Sequence, residues 1–257
     1  MSTQRHPVVR AVGGYLRDAR ECRYMLPEQA AESLGVPEES VEAMEAGYTP
    51  PTFADIDLLC RLYGCDADAL KGLLGQWADE GPVADAAPGH HRRLAACVRQ
   101  ANKALWIATD HLPPLVHTAA YAHAVGSPAC DLPGVPLPFP SRPQLLLDER
   151  ILLTKDIDPA VMRHQLAYLL DQTDCEMRVM PGRIPDSLGP VVTLQMAAGY
   201  LLAESSHHGV RYRADEQPPR SITHTWDLTT PATSQFLVRK ALHEQMTRYP
   251  CQGPPPP

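Results

Sequence analysis

The first eighty residues place apolar side chains at helical spacing in short runs. Val12, Leu16 and Ala19 recur three or four residues apart and predict a helix over residues 10–23. Between residues 28 and 50, the same spacing predicts two short helices whose inner faces carry Ala30, Ala31 and Leu34, and then Val41 and Met44. Gly35 suits the turn between these helices, and Gly47 suits the end of the second.

The pattern changes along the rest of the chain. Two further amphipathic helices are predicted over residues 53–63 and 66–77, and a long apolar stripe predicts another over residues 91–108. Beyond it, alternating apolar and polar positions indicate half-buried strands. These strands are predicted at residues 175–180, 191–196, 200–204 and 210–213, with a strand followed by a helix at 145–152 and helices at 158–171 and 233–249.

These elements predict an α+β protein in two parts. Residues 1–77 are predicted as an all-α five-helix domain, and residues 90–250 as an α+β domain with a small, mostly antiparallel sheet. Residues 78–89 are rich in Pro, Gly, Ala and acidic residues and are interpreted as a linker. Residues 251–257, CQGPPPP, are predicted to be a disordered tail.

The N-terminal pattern resembles a known family. The helix pair, Pro37, the Glu45-Ala46-Gly47 ending and the Pro50-Pro51 that follows resemble the helix-turn-helix of XRE-type, phage-repressor-like regulators. Residues 14–20 resemble the G-x-x-L-R-x-x-R opening helix of actinobacterial members. The resemblance implies that the second helix lies in the DNA major groove. The residues that would then contact DNA are Arg17, Arg20, Glu38, Glu39, Ser40 and Glu42.

The second half resembles the regulatory domain of WhiJ-type actinobacterial regulators. Residues 113–122 match its P-G-L-L-Q-T-x-x-Y-A motif at Pro113, Leu115, Thr118, Tyr121 and Ala122, while His117 replaces the glutamine. Residues 145–152 match its L-D-E-x-x-L element, with Glu149 in place, and Gln165-Leu166 matches its Q-L pair. The resemblance implies a transcription regulator that works with a small partner protein.

The charge distribution opposes a role in reading DNA. The formal net charge is −7, and the stretch from Tyr24 to Cys60 contains no Lys or Arg. The helix that would read bases carries four glutamates, Glu38, Glu39, Glu42 and Glu45, although DNA affinity comes mostly from neutralising phosphates. Arg17 and Arg20 have two interpretations, phosphate contacts or a solvated helix face paired with its own acidic neighbours.

The segment 127–143 departs from the WhiJ-type pattern. It holds six prolines in seventeen residues, where the family has an R-x-x-R-Q helix, and prolines at this density exclude an ordinary helix. We interpret it as a loop that lines or covers a pocket. Together with the acidic helix pair, it favours a changed function.

Candidate chemistry centres on one histidine and one glutamate. His117 and Glu149 would serve as an acid–base pair for proton transfer or cyclisation on a bound small molecule, if they meet in the fold. The alternatives are a satisfied structural histidine and a glutamate that caps the following helix. Core or surface roles are likewise the alternatives for the other predicted ligand-binding residues, which are His111, Tyr121, Asp148, Tyr200 and Glu204.

Cofactors and membranes are not indicated. The sequence contains no nucleotide-, flavin- or metal-binding motif, so no cofactor and no metal are predicted. His111, His117 and His123 recur every six residues and would not share one helix face. The seven cysteines include no CxxC pair and are interpreted as reduced thiols. The N-terminus lacks an apolar signal region, so a cytoplasmic protein with no membrane partner is expected.

The sequence is compatible with three alternative functions. The first is a regulator-family protein that has lost DNA binding and uses its C-terminal domain to bind, or even convert, a small molecule in secondary metabolism. The second is the XRE-type DNA-binding regulator that works with a small partner protein. The third is an antitoxin-like or scaffolding protein whose acidic surface docks a basic partner. A homodimer is compatible with each.

Overall fold

The computed structural model describes residues 6–78, 81–126, 143–171, 175–185, 188–206, 208–215, 217 and 220–248. The predicted pocket loop, apart from Pro143, and the predicted tail 251–257 lie outside these residues. The chain forms two compact units. Unit 1 contains the described residues of Met1–Leu105 and Val191–Pro219, and unit 2 contains those of Trp106–Val135, Pro143–Pro190 and Arg220–Pro257.

Five short helices follow one another at the N-terminus, as the sequence predicts. They are α1 (Pro7–Glu21), α2 (Pro27–Leu34), α3 (Glu38–Glu45), α4 (Phe53–Tyr63) and α5 (Ala67–Leu74), with a 3-10 turn over Gly75–Ala78. Thr52 and Asp55 form a reciprocal cap at the start of α4, and Asp66 caps α5. Gly35 ends α2 in the left-handed conformation with φ 68°, which explains the glycine at this turn.

The predicted helix over residues 91–108 is wrong in its second half. Helix α6 (His90–Gln100) ends early, and Lys103–Ala108 forms strand β2. Asn102 N–H donates to the carbonyl of Gln195 at 2.8 Å, which draws the chain into the sheet. Trp106 and Ile107 are residue types that favour strands, so sheet pairing overrides an apolar spacing that a helix would also satisfy.

The other predicted elements lie close to their predicted positions, whereas residues 83–85, 119–124 and 220–227 form elements that the sequence did not predict. The helices are α7 (Ala119–Ala124), α8 (Glu149–Leu152), α9 (Pro159–Asp171), α10 (Arg220–Asp227) and α11 (Pro231–Arg248), with a 3-10 turn over Pro114–Val116. The strands are β1 (Val83–Asp85), β3 (Gln144–Asp148), β4 (Glu176–Met180), β5 (Val191–Met196), β6 (Gly199–Ser206) and β7 (Gly209–Asp215). Strand β1 lies inside the segment 78–89 that the sequence suggests as a linker.

The strands form a mixed seven-stranded sheet in the order β1-β7-β6-β5-β2-β3-β4. The pairs β5–β6, β6–β7 and β1–β7 are antiparallel, and β3–β4 is parallel. Strands β1, β5, β6 and β7 belong to unit 1, β3 and β4 belong to unit 2, and β2 starts in the first and ends in the second. The α+β fold class, with an N-terminal helical region, is therefore confirmed.

Each unit has its own apolar core. In unit 1, α1 to α5 bury a cluster that includes Val12, Leu16, Val41, Ile56 and Leu59. In unit 2, α8, α9, α11 and strands β3 and β4 enclose Leu145, Leu147, Leu166, Val179 and Val238. No helix among the described residues is long and apolar enough to cross a membrane.

Candidate functional site

Arg20 and Glu45 form a buried ion pair between α1 and α3. Arg20 Nε lies 2.8 Å from Glu45 Oε1 and Nη2 lies 2.7 Å from Oε2, while the two residues are only 6% and 4% exposed. Arg20 Nη1 also donates to the Met25 carbonyl at 2.6 Å, and Tyr63 Oη donates to Glu45 at 3.3 Å. Burial acts to lower the pKa of Arg20, but the hydrogen bonds and charge of Glu45 outweigh it, so this pKa is raised.

This pair corrects two expectations about the helix-turn-helix surface. Arg20 is neither solvated nor available to a phosphate, because its guanidinium is engaged inside the unit. Glu45 does not add to the acidic surface of α3, because it points inward beside Met44. The sequence indicated the inward position of Glu45, because this residue lies four positions after Val41 and therefore on the predicted inner face of the helix.

The outer face of α3 remains acidic. Glu38, Glu39 and Glu42 are exposed, and the described part of the chain contains no ion pair to any of them. Ser40 is half-buried on the same helix. Three carboxylates and no Lys or Arg therefore face solvent along this helix, as the sequence predicts.

The cations around α3 are largely engaged by the protein itself. Arg17 is exposed and pairs with Glu21 on the same helix at 2.9 Å, as the self-paired interpretation expects. Arg23 donates to the Tyr63 carbonyl at 2.9 Å, and Lys71 pairs with Asp57 at 2.7 Å. Arg61 on α4 is also exposed, and the described residues supply no ion-pair partner for it.

Arg10 connects α1 to the sheet of unit 1 through hydrogen bonds, although no pattern in the sequence distinguishes it. Its Nη1 donates to the Tyr200 carbonyl and, at 3.0 Å, to the Asp215 carbonyl, at the adjoining ends of β6 and β7. Gly47, with φ 80°, lets the turn after α3 approach Arg10, since a Cβ there would lie 2.9 Å from the Arg10 Cα. Tyr48 Oη donates to the Ala197 carbonyl at 2.9 Å, from the same turn.

Two basic residues of α6 are also used internally. Arg93 makes a bidentate pair with Asp85 on β1, at 2.6 and 2.7 Å, and both side chains are buried. Arg99 makes a bidentate pair with Asp18 on α1, both bonds at 2.6 Å. These two ion pairs connect α6 to β1 and to α1 within unit 1, so only part of the positive charge of α6 faces solvent.

His117 lies in unit 2 with one ring nitrogen unsatisfied. Its Nε2 donates to the Leu112 carbonyl at 2.7 Å, so Nδ1 presents a lone pair, and that buried atom has no partner among the described residues. The ring packs against Tyr121, with centroids 4.9 Å apart. Burial lowers the pKa of His117, with a smaller opposing contribution from the Leu112 carbonyl, so the neutral imidazole is favoured.

Gln165, fully buried on α9, fixes the segment that carries His117. Its Oε1 accepts from the Thr118 N–H at 2.7 Å, and its Nε2 donates to the Val116 carbonyl at 2.7 Å. Both backbone groups flank His117 directly. The sequence marked Gln165 only through the family resemblance, because a buried glutamine on a helix has no signature in hydrophobic periodicity.

Asp148 and Glu149 do not form an acid–base pair with His117 among the described residues. Asp148 is fully buried and caps α8 by accepting from the Arg150 N–H at 2.9 Å, and it also accepts from the Ile184 N–H at 2.9 Å. Burial tends to raise the pKa of Asp148, but its bonds to Arg150 and Ile184 lower it overall. Glu149 accepts from the Gly182 N–H at 2.9 Å, so the cap predicted for it belongs to Asp148.

The other predicted ligand residues are separated. Tyr121 is buried beside His117, and its hydroxyl accepts from the Leu112 N–H at 3.2 Å, whereas His111 is exposed. Tyr200 and Glu204 lie on β6 in unit 1, where Glu204 pairs with Arg213 on the neighbouring strand at 2.9 Å. The structure thus brings His117 and Tyr121 together and leaves Tyr200 and Glu204 in surface or sheet roles.

Side chains that could ligate a metal do not cluster in the part of the chain that the structure describes. No group of three or more His, Cys, Asp or Glu side chains there is arranged to hold an ion. The unsatisfied nitrogen of His117 is a single acceptor beside the Tyr121 ring, and a lone acceptor suits a hydrogen-bond donor on a small molecule better than a cation, which needs several ligands.

Comparison with known proteins identifies the N-terminal helices. A helix-turn-helix domain model matches residues 11–73, which run from α1 to the end of α5. No curated protein and no solved structure matches the chain. The helix-turn-helix prediction is therefore confirmed, and its form is consistent with the XRE type.

Proposed function

We propose that the chain is a regulator-like protein whose helix-turn-helix no longer reads DNA, and whose unit 2 binds a small molecule at His117. The loss of DNA binding is supported by one observation: hydrogen bonds and ion pairs within unit 1 already occupy the arginines of α1. Arg10 and Arg20 are buried in internal bonds, and Arg17 is held by Glu21, while α3 presents only carboxylates outward.

Electrostatics make this arrangement unfavourable for a duplex. DNA binding requires several phosphates to be neutralised, and guanine is read chiefly by Arg or Lys. Glu38, Glu39 and Glu42 would instead bring three negative charges against the polyanion, in a unit whose nearby cations are mostly occupied. Fold alone does not supply the function of a site.

Ligand binding in unit 2 is supported by His117 Nδ1. A buried acceptor without a partner costs roughly 1–3 kcal/mol, and a donor from a ligand would recover that cost. Gln165 holds the surrounding backbone, so the acceptor is preorganised. We propose binding without conversion, because Glu149 has a different partner in Gly182.

DNA binding is tested by fluorescence anisotropy on labelled genomic fragments at low salt. We expect no salt-sensitive binding by the native chain. The matched variant Glu38→Lys/Glu39→Lys/Glu42→Lys keeps the helix and reverses its charge, so it should bind non-specifically with a logarithmic salt slope of about −0.9 per phosphate neutralised. Tight, salt-sensitive binding by the native chain would remove the first half of the proposal.

Ligand binding is tested by thermal shift against a panel of small metabolites that carry hydroxyl or amide donors. A stabilising compound should lose its effect in His117→Phe, which fills the space without the acceptor, and keep it in His111→Ala, whose side chain is exposed. A shift that survives in His117→Phe would place the ligand elsewhere. No shift with any compound would count against binding.

A second candidate is the DNA-binding regulator that works with a small partner protein. The helix-turn-helix match over residues 11–73 favours it, as does the inward position of Glu45, which leaves α3 less acidic than its sequence suggests. In this case the partner would supply the missing cations. Anisotropy measured with and without the product of a small neighbouring gene separates the two, since only this candidate predicts binding that requires both proteins.

A further inference from the structure

Two cysteines meet at the C-terminal end of α4. The helix ends at Tyr63, and Gly64 follows in the left-handed conformation with φ 69°. The N–H groups of Gly64 and Cys65 both return to the Cys60 carbonyl, the latter at 2.9 Å. This helix ending brings the side chain after the left-handed residue against the side chain in the last turn. Here those two side chains are the thiols of Cys65 and Cys60, which the two backbone hydrogen bonds hold next to each other.

The two thiols differ in environment. Cys60 is 2% exposed and belongs to the core of the helix-turn-helix, whereas Cys65 is half-buried at its edge. The hydrogen bond from the Cys60 thiol stabilises a thiolate at Cys65, which lowers the pKa of Cys65 against the effect of its partial burial. The same bond, together with burial, raises the pKa of Cys60. Cys65 is the more accessible thiol of the two, and its lowered pKa acts in the same direction, so Cys65 is the nucleophile of the pair and Cys60 its adjacent resolving thiol.

We propose that Cys60 and Cys65 form a peroxide-reactive dithiol that closes to a disulfide at the end of α4. The Cys65 thiolate attacks one oxygen of a hydroperoxide, the O–O bond breaks, and the leaving oxygen takes up a proton as water or alcohol. The Cys65 sulfenic acid is then attacked by the Cys60 sulfur. The S–S bond forms, the S–O bond breaks, and the departing hydroxide leaves as water with the Cys60 proton. Two thiols are oxidised, and one peroxide is reduced.

Two other cysteines provide contrast. Cys22 is exposed, but burial of its sulfur and the neighbouring Asp18 raise its pKa. Cys97 is fully buried, and burial raises its pKa to about 12. Access alone would make Cys22 the first thiol to react, whereas thiolate character would make Cys65 the first. The order of reaction therefore discriminates between a reactive pair and ordinary surface chemistry.

Peptide mapping after peroxide treatment tests the closure. The reduced full-length chain is treated with equimolar hydrogen peroxide, quenched with catalase, alkylated with iodoacetamide under denaturing conditions and digested with trypsin. Arg61 lies between the two cysteines, so a Cys60–Cys65 disulfide would join the otherwise separate peptides 24–61 and 62–71. We expect the joined peptide, lighter than the sum of its reduced parts by the two lost hydrogens, and its disappearance with dithiothreitol.

Two variants complete the test. Cys65→Ser should abolish the joined peptide, and Cys22→Ser should leave its yield unchanged. In limiting iodoacetamide on the native chain, Cys65 should be alkylated faster than Cys22, because the pKa of Cys65 is lowered and that of Cys22 is raised. Recovery of both alkylated peptides after peroxide, or earlier modification of Cys22 in the chymotryptic fragment ending at Tyr24, would overturn the proposal.

Discussion

Asp18 on α1 and Arg99 on α6 are joined by two hydrogen bonds of 2.6 Å, one to each carboxylate oxygen. The two residues are 81 positions apart in the chain, on either side of the predicted linker. Cys97 adds a weak bond from its thiol to the Ala11 carbonyl at 3.4 Å. Helix α1 is therefore stabilised from outside the five-helix set as well as from within it.

Removing the Asp18 charge should destabilise unit 1. Asp18→Asn leaves the largely buried guanidinium of Arg99 without its counter-charge, and we expect a loss of about 1–3 kcal/mol in the free energy of unfolding, less than for a fully buried pair because Arg99 keeps some solvent contact. Urea unfolding followed by circular dichroism measures it.

Arg17→Ala is the matched control for Asp18→Asn, because it breaks an exposed pair on the same helix. It should change the free energy of unfolding by less than about 0.5 kcal/mol. Equal effects of the two substitutions would show that the Asp18–Arg99 pair adds nothing beyond a surface contact.

Breaking the Arg20–Glu45 pair should be more damaging. Glu45→Ala leaves a buried guanidinium with only the Met25 carbonyl as acceptor, and the expected cost is about 3–5 kcal/mol. Thermal and urea unfolding of the full chain would measure this cost. The double variant Arg20→Met/Glu45→Leu replaces both charges by apolar groups and should recover most of the lost stability.

Glu42→Ala on the exposed face of α3 is the control for Glu45→Ala. Its effect should stay within about 0.5 kcal/mol, because its carboxylate is solvated and the described residues offer it no ion-pair partner. A double variant no more stable than Glu45→Ala would show that the two side chains contribute through packing and not through their charges.

Local signals predicted much of the fold. The start and end of α4 follow directly from the Thr52 cap and from Gly64, both readable in the sequence. Strand β3 and helix α8 were recognised from the L-D-E-x-x-L element, and Asp148 marks their junction. At these positions the residue type favours one backbone conformation, so the sequence alone predicts where the helix or strand begins or ends.

Non-local contacts explain what the sequence did not reveal. Lys103–Ala108 satisfies helical spacing, and only the partner strands make it β2. Arg10 and Arg99 have no distinguishing pattern, because their acceptors lie far away in the chain. The replacement of the family glutamine by His117 drew attention to the segment of the candidate ligand site, whereas the Gly182 N–H that Glu149 accepts from lies far away in the chain.

Gln165 should control the stability of the segment around His117. Gln165→Leu leaves the Thr118 N–H and the Val116 carbonyl buried without partners, which should cost about 2–6 kcal/mol in the free energy of unfolding, at roughly 1–3 for each group. Hydrogen exchange at the Thr118 amide should be faster in Gln165→Leu than in the native chain. Gln165→Glu keeps the acceptor for Thr118 and should protect that amide better than the leucine does. Equal exchange in both variants would contradict the positioning role.

The lowered pKa of His117 predicts a pH dependence of stability. In the unfolded chain this imidazole takes up a proton near pH 6.5, whereas burial keeps it neutral to lower pH in the fold. The unfolded state therefore binds more protons as the pH falls below about 6.5, so stability is fully present above that value and declines on acidification until the folded imidazole also protonates.

The measurement is urea unfolding from about pH 7.5 to about pH 5 for the native chain and for two glutamine variants. His117→Gln has no proton to gain and should flatten this part of the profile, while its amide still has a donor for the Leu112 carbonyl. His111→Gln removes an exposed neighbour that makes only the smallest contribution to the lowered pKa of His117, so it should retain most of the slope. If His117→Gln keeps the native slope and His111→Gln loses it, the buried, neutral imidazole is not the titrating group, and His117 would no longer be a preorganised acceptor for a ligand.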